Sequence, residues 1–362
     1  MQFSKERLYS SVVGILTAIP VYVIQEPIYI LPFIVVLYHL VFGRFKSEDR
    51  TKLVIFFLLT IVVLLTNLLG TYAGYQSISF SSILYFLMST FVLAFSYSSI
   101  DTESFFTWFL IAAKGAALYV FILFFKDAFL AGAFYDVTQS EGRMWAKGLV
   151  LGWPNGFAII TSIAAYLCFV KGEKLWSFLL VLSAMTTFSR MAMIFLLVLF
   201  VLQIYSMFRR GTFILVVLGL IIIVLPILLE FYFANEKVLY RIAKYSDRLV
   251  IAQNLLDTLI ANPFGIGNVN YRDISSGDIY ESYHSTFLKV LVRYGFIGFF
   301  MFVVLVAPIA TMRLFSLRSI LVTVLLVLAI PQDFLLLPSV ALLYSLVANH
   351  RKFLSDKSRT LV

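Results

Sequence analysis

Long apolar runs alternate with short polar breaks over most of the chain. A bilayer core about 30 Å thick needs roughly 20 apolar helical residues, so these runs predict membrane-spanning helices. The predicted helices cover residues 8–24, 27–43, 51–70, 78–97, 103–125, 154–171, 174–188, 190–208, 212–232, 285–310, 317–332 and 335–349. We therefore predict an all-α, polytopic integral membrane protein with about 12 transmembrane helices.

Two polar stretches between the predicted helices are too long to be simple turns. Residues 126–153 form the predicted first outer loop and residues 233–284 the second. Loops longer than about 15 residues are usually functional or disordered. Because these two contain aromatic residues, glycines and mixed charge, we expect them to be folded and partly helical. Residues 1–362 are then a single transmembrane domain that carries both outer loops.

The second outer loop contains a pattern typical of a helix that lies on a membrane surface. Leu249, Leu256 and Leu259 recur at an approximately helical spacing within DRLVIAQNLLDTLIAN. This spacing predicts an amphipathic helix at the outer interface. The following NPFGIGN is typical of a turn that ends the helix.

Composition and charge support this topology. The 362 residues are 61% hydrophobic and 13% charged, whereas soluble domains have about 25% charged residues. The net charge of +9 comes from lysines and arginines in breaks on one side, which places both termini in the cytoplasm. It therefore indicates topology rather than nucleic-acid binding. The single cysteine, Cys168, excludes an internal disulfide and a cysteine-based metal site.

The N-terminal apolar run continues to Ile24 without a small-residue cleavage site, so we interpret it as the first span rather than a signal peptide.

Arg190 interrupts an apolar run that otherwise extends from Leu175 to Phe208. The 14 residues from Leu175 to Phe188 rise only about 21 Å, less than the thickness of a bilayer core. We therefore expect Arg190 to lie below the outer surface, in a cavity. Charges at such depth are costly and usually functional. The alternative is an arginine that extends from a helix end toward water.

Two further arginines occur in the predicted outer loops. Arg248 begins the predicted interfacial helix, and Arg143 lies in the first loop with Lys147 one helical turn away. Each could bind an anionic ligand, and each could equally be an ordinary surface residue. For Arg248 the alternative partners are Asp247 or a lipid phosphate.

His284 is one of three histidines, and it lies where the polar second loop meets an apolar run. Histidine titrates near neutral pH and can accept a proton from a hydroxyl. The alternative is a hydrogen-bonded residue at a helix end. His39 lies inside a predicted span and His350 in the basic C-terminal tail, so neither is a comparable candidate.

Several outer arginines with one histidine and no acidic pair suit a site that binds a diphosphate and deprotonates a hydroxyl. Arginine binds phosphate oxygens with two hydrogen bonds and stabilises a departing diphosphate. The outer loops show no cluster at metal-ligand spacing, so we expect no metal and no other cofactor. A lipid-linked diphosphate sugar donor fits, because the membrane presents its diphosphate at the depth of Arg190.

Four segments of the chain carry a family resemblance. They are GRMWAKGLVLGWPNGFA, TTFSRMAMIFLL, SDRLVIAQNLLDTLIANPFGIGN and SYHSTFLKVLVRYGFIGFF. In these segments and in their order, the chain resembles the O-antigen ligase and polysaccharide polymerase superfamily of bacterial envelopes.

The resemblance implies a glycosyltransferase at the outer face of the bacterial plasma (inner) membrane. Such an enzyme moves a glycan from undecaprenyl diphosphate to a sugar hydroxyl of an acceptor, such as a lipid A–core glycolipid, with inversion and without a metal. By residue match, His284 activates the acceptor hydroxyl and Arg190, Arg248 and Arg143 bind the diphosphate. Supporting candidates are Lys147, Asn155, Arg272 and Tyr283.

Other functions stay open at this stage. Ser285 replaces the asparagine that follows the histidine in many relatives, and the segment between Arg248 and His284 is short for a ligase. Ser285 lacks the side-chain amide that the asparagine would supply, and the short segment leaves room for a polymerase that joins repeat units. A flippase or transporter usually carries charges near the bilayer midplane, where Lys114 is the one clear example. A non-catalytic envelope assembly protein is the remaining alternative.

Overall fold

The computed structural model describes residues 5–19, 30–43, 49–73, 80–124, 154–186, 195–197, 199, 255–267, 271–272, 279–280, 285–307, 317–329 and 335–349. Within them the helices are α1 (Lys5–Ala18), α2 (Ile30–Phe42), α3 (Asp49–Tyr72), α4 (Phe80–Phe95), α5 (Thr102–Phe124), α6 (Pro154–Val170), α7 (Lys174–Met185), α8 (Thr286–Val306), α9 (Leu317–Ala329) and α10 (Pro338–Asn349). A short antiparallel ladder pairs β1 (Tyr271–Arg272) with β2 (Ile279–Tyr280).

The predicted helical membrane class is confirmed. In the described residues, four helices are long and apolar enough to cross a membrane, namely Asp49–Tyr72, Phe80–Ser98, Thr102–Leu123 and Thr286–Val306. The number of twelve spans stays a prediction. The predicted span 212–232 lies outside the described residues, as does the first outer loop, 126–153. Of the predicted span 190–208, residues 195–197 and 199 are described, and they are helical.

Helices α1 and α5 pack closely near the ends that the sequence predicts to be cytoplasmic. The Asp101 carboxylate accepts the Ser104 backbone N–H at 3.1 Å, which satisfies a free donor in the first turn of α5. The Asp101 N–H donates to the Ser10 hydroxyl at 2.8 Å. A Cβ on Gly14 would lie 2.5 Å from the Phe105 carbonyl oxygen. Small residues thus allow two backbones to approach, as is common between membrane helices.

The C-terminal end of α8 is held by side chains from two other helices. Lys52 of α3 donates from Nζ to the carbonyls of Leu305 at 3.1 Å and Ala307 at 3.2 Å. The Tyr344 hydroxyl of α10 donates to the Val306 carbonyl at 2.9 Å. The last carbonyls of a helix lack intrahelical partners, so these bonds satisfy groups that would otherwise be buried without one. Helices α3 and α8 consequently run antiparallel.

Replacing Lys52 with Met should destabilise the protein. Lys52 is 8% exposed, so its loss leaves buried carbonyls without a donor and should lower the free energy of unfolding by about 2 kcal/mol. Thermal unfolding of the purified protein in detergent measures this. Arg50→Met is the matched control, because Arg50 is an exposed cation on the same helix turn. Equal melting temperatures for the two variants would contradict the assigned role of Lys52.

Candidate functional site

Helix α8 begins two residues after the predicted catalytic histidine. Ser285 has an extended backbone and its side chain accepts the Leu288 N–H at 3.2 Å. This is the N-cap arrangement that polar short side chains favour. The helix therefore begins at Thr286, and His284 is the residue that precedes the cap in the chain.

Two turns further on, α8 is interrupted and another segment takes over its hydrogen bonds. Gly295 has φ 67° and ψ −172°, which is not helical. In a regular helix the Phe296 N–H would donate to the Val292 carbonyl. Here the Phe296 N–H donates to Pro263 at 3.2 Å, and the Val292 carbonyl accepts from Ile266 at 3.2 Å. We call residues 262–267 and 292–296 together the turn–kink junction.

Glycines make this close approach of two backbones possible. The Gly267 N–H donates to the Arg293 carbonyl at 2.8 Å. Gly265 has φ 91°, and a Cβ there would lie 2.5 Å from the Arg293 oxygen. A Cβ on Gly295 would lie 2.4 Å from the Pro263 oxygen. No other residue type fits either position without a shift of the backbone.

Helix α3 contributes a third element to the turn–kink junction. A Cβ on Gly70 would lie 2.3 Å from the Ile266 carbonyl oxygen. A Cβ on Gly267 would lie 2.8 Å from the Thr66 carbonyl oxygen. The turn is therefore enclosed between α3 and α8, and its position relative to both helices is fixed by backbone contact.

Residues 255–261 are helical, which confirms the end of the helix predicted for the second outer loop. The helix ends at Asn262, whose carbonyl accepts the Gly265 N–H at 2.9 Å. Leu255 and Leu259 are buried against the protein, whereas Leu256 is 47% exposed. The placement of this helix at the outer interface stays a prediction.

The connection between α9 and α10 also reaches the start of α8, and sequence reasoning missed it. The Leu335 N–H donates to the Thr286 hydroxyl at 3.3 Å, and both residues are fully buried. The Tyr85 hydroxyl of α4 donates to the Leu336 carbonyl at 3.0 Å. The predicted span begins at residue 335, whereas α10 begins at Pro338. Gln332 and Asp333 directly precede this anchored segment in the chain.

Arg293 is a second feature that sequence reasoning missed. It lies inside α8 and is only 8% exposed. A buried charge within a membrane-spanning helix is expensive and usually has a functional or structural role. The sequence did contain a signal, because Arg293 recurs at helical spacing after Thr286 and Val290, and both of those residues are fully buried.

Lys114, the mid-span charge on which the transporter alternative depends, is paired. Its ammonium forms an ion pair with the Glu173 carboxylate in the connection between α6 and α7. It also lies 5.2 Å from the centre of the Trp176 ring, within the range of a cation–π contact. The hydrogen bond from Lys114 lowers the pKa of Glu173. This pairing gives Lys114 a structural role between α5 and the α6–α7 pair.

Most of the predicted site residues lie outside the described residues. These are Arg143, Lys147, Arg190, Arg248, Tyr283 and His284. Asn155 is the second residue of α6, and Arg272 lies in β1 opposite Ile279, but their side chains are outside what the structure describes. The mutual placement of the predicted site residues therefore stays a prediction.

Gly295→Ala should weaken the turn–kink junction. A side chain there requires an unfavourable left-handed backbone, at about 1–3 kcal/mol, and also collides with Pro263. We expect a clearly lower melting temperature in detergent. Gly115→Ala is the matched control, since a Cβ at Gly115 would have nothing within 4 Å. If the two alanine variants unfold alike, the backbone contact at Gly295 does not carry the stability assigned to it.

The comparison with known families bears on the same part of the chain. The family model described as O-antigen ligase matches residues 175–303. The matched range contains Arg190, Arg248 and His284 and the whole turn–kink junction. No curated protein matches the chain. The predicted resemblance to the O-antigen ligase superfamily is thus confirmed over residues 175–303.

Proposed function

We propose that this protein is an O-antigen ligase-like membrane glycosyltransferase. It transfers a glycan from undecaprenyl diphosphate to a sugar hydroxyl of an acceptor, such as lipid A–core, at the outer face of the plasma membrane. The observation that carries the proposal is the family match over residues 175–303, which contains two of the three predicted diphosphate ligands and the predicted base. Membrane-spanning helices in the described part of the chain fit a lipid-linked donor.

In the proposed reaction, His284 accepts the proton of the acceptor hydroxyl. The hydroxyl oxygen then attacks the anomeric carbon of the donor sugar and forms the new glycosidic bond. The bond between that carbon and the diphosphate oxygen breaks, and its electron pair leaves with the lipid diphosphate. A single displacement of this kind inverts the anomeric centre. Acceptor oxygen and anomeric carbon must approach to about 3–3.5 Å.

The arginines handle the negative charge of the leaving group. Arg190 and Arg248 bind the diphosphate oxygens, and Arg143 adds a contact from the first outer loop. Guanidinium groups suit this role because each donates two parallel hydrogen bonds and keeps its charge at any working pH. They stabilise the charge that develops as the bond breaks, in place of a divalent ion. Lys147, Asn155, Arg272 and Tyr283 are supporting residues.

The described structure supports a precisely held site at the start of α8. Lys52 and Tyr344 hold the inner end of this helix. The turn–kink junction and the bond from Leu335 to Thr286 hold its outer part. A catalytic group performs best when it is carried on a rigid element whose neighbours fix it. The junction also ties the segment that follows Arg248 directly to the helix that follows His284.

A polymerase of the same superfamily is the second candidate. The short segment between Arg248 and His284 favours a smaller acceptor than a complete glycolipid core. The chemistry would be unchanged, and the acceptor hydroxyl would belong to another repeat unit. A flippase or transporter is less favoured, because Lys114 is engaged with Glu173.

Substitution of His284 tests the proposed base. A strain that makes only His284→Ala should insert the protein normally and produce no transferred glycan, because the hydroxyl keeps its proton. Surface glycan on gels measures transfer, and a tag measures the amount of protein in the membrane. Ser285→Ala is the matched control. It removes the N-cap of the same helix, at about 1 kcal/mol, and should leave transfer intact. Normal glycan with His284→Ala would reduce this residue to a structural role.

The glycan profile of a deletion strain separates the two candidate functions. Loss of a ligase should leave full-length polymer attached to undecaprenyl diphosphate, because the polymer forms but has no route to its acceptor. Loss of a polymerase should leave single repeat units, attached to the core wherever a ligase is present. Gel electrophoresis of lipid-linked and core-linked glycan distinguishes these outcomes. A wild-type profile in both fractions would argue against either enzyme.

A further inference from the structure

We infer that residues 255–267 dip into the outer leaflet as a re-entrant element, with Leu256, Ile260 and Phe264 in contact with lipid hydrocarbon. The second outer loop would then be partly a membrane-embedded structure rather than one that rests on the surface. The inference depends on the depth of the turn–kink junction, on its backbone hydrogen bonds, and on the exposed side chains. It stands independently of the proposed reaction.

Helix α3 gives a first measure of depth. Its first four residues are polar (DRTK) and the apolar part runs from Leu53 to Tyr72. Those residues rise about 30 Å, the thickness of a hydrocarbon core. Tyr72 therefore marks the outer boundary of the core. The turn contacts α3 at Gly70 and Thr66, which lie about 3 Å and 9 Å below that boundary.

Helix α8 gives a second measure that does not depend on the first. Its outer end is capped by Ser285, and the turn bonds to the carbonyls of Val292 and Arg293. Seven to eight residues of helix separate these points, which corresponds to about 10–12 Å. The 21 residues of α8 rise about 30 Å, the thickness of a hydrocarbon core, so the cap lies at its outer edge. Both helices thus place the turn inside the outer half of the membrane.

The hydrogen bonds of the turn are those that a membrane-embedded backbone requires. Water is absent from the hydrocarbon core, so non-helical backbone persists there only where protein groups satisfy it. The N–H groups of Ile266 and Gly267 bond to α8, and the Pro263 carbonyl accepts from Phe296. The kink at Gly295 frees the acceptors that make this possible. The interruption of α8 is thereby explained by the presence of the turn.

Most of the large side chains that face outward on this element are apolar, and the exposed carboxylate, Asp257, lies near its start, away from the turn. Leu256 is 47% exposed, Ile260 78% and Phe264 67%. The apolar surface continues onto α8 through Phe296 and Phe300, which are 58% and 69% exposed. In water these residues would leave a contiguous apolar patch unburied, which soluble surfaces avoid. In contact with lipid hydrocarbon, the same apolar surface lies in an apolar environment.

This location has a consequence that does rest on the proposed function. Arg248 belongs to the segment that leads into residues 255–261. A segment anchored inside the outer leaflet would bring that arginine toward the level at which a lipid-linked diphosphate leaves the hydrocarbon. The re-entrant element would then set the depth of diphosphate binding.

Spin-label accessibility tests the inference on the full-length protein in lipid vesicles. Ile260→Cys and Phe264→Cys are labelled with a nitroxide in a Cys168→Ala background, because Cys168 is the only native cysteine and is fully buried. Oxygen partitions into hydrocarbon, whereas a nickel chelate stays in water. We expect labels at Ile260 and Phe264 to collide with oxygen several-fold more often than with the nickel chelate.

Two reference positions make the result decisive. Leu69→Cys on α3 is 58% exposed and provides the signal of a lipid-facing site at known depth. Asp257→Cys, at an exposed polar position of the same helical segment, should be more accessible to nickel. Nickel accessibility at Ile260 and Phe264 equal to that at Asp257 would place the element above the membrane and overturn the inference. Protection from both reagents would overturn it too, because protein rather than lipid would then cover these residues.

The label readout does not depend on catalysis. A His284→Ala protein that lacks transferase activity should give the same accessibility values at Ile260. Failure of the proposed reaction and failure of the re-entrant element are therefore distinguished by separate measurements. Monodisperse elution of each labelled variant confirms that it is folded, and substitution of these exposed side chains removes little internal packing.

Discussion

The exchange of backbone hydrogen bonds at the turn–kink junction is the constraint on which the outer part of this structure depends. The backbone carbonyls of a helix normally accept hydrogen bonds from N–H groups of the same helix. A buried helix loses such a bond only where another donor replaces it. Here Val292 and Arg293 accept from Ile266 and Gly267, while Phe296 donates to Pro263. Each segment supplies the backbone donors or acceptors that the other lacks, so neither backbone conformation has all its hydrogen bonds on its own. Because Val292, Arg293 and Ile266 are buried, their backbone groups have no water to replace a lost partner, so the arrangement tolerates little displacement.

Rigidity at this point matters because α8 begins next to the predicted base. The helix is held at its C-terminal end by Lys52 and Tyr344 and in its N-terminal part by the junction and by Leu335. Three segments distant in the chain therefore fix one helix. In the proposed reaction, the lipid-linked diphosphate sugar and the acceptor hydroxyl must meet at one geometry. A fixed helix at the boundary meets that requirement better than a loop that is free to move.

Sequence reasoning predicted helices such as α3 and α8 well, because a membrane span is recognisable from its long run of apolar residues. It also predicted that NPFGIGN would be a turn, since its glycines and proline have strong local preferences. It did not predict where that turn would dock, because the partner, Gly295, lies some thirty residues further on and is itself an unremarkable glycine in an apolar run. The contact from Leu335 to Thr286 and the burial of Arg293 depend on tertiary packing, and one sequence carries no local signal for the former.

This geometry explains why the two motifs contain glycines. Gly265 and Gly295 occupy positive-φ positions where a Cβ would collide with the opposite backbone, and Gly70 and Gly267 allow α3 to close against the turn. Gly265 and Gly267 in NPFGIG and Gly295 in YGFIG therefore serve the contact between segments rather than the flexibility of either. Residues 262–267, which follow the predicted arginine in the chain, and residues 292–296, which follow the predicted histidine, are parts of one packed unit. A chemical step that needs both groups at once gives a reason for the two motifs to be joined through backbone, which is less adjustable than any side-chain contact.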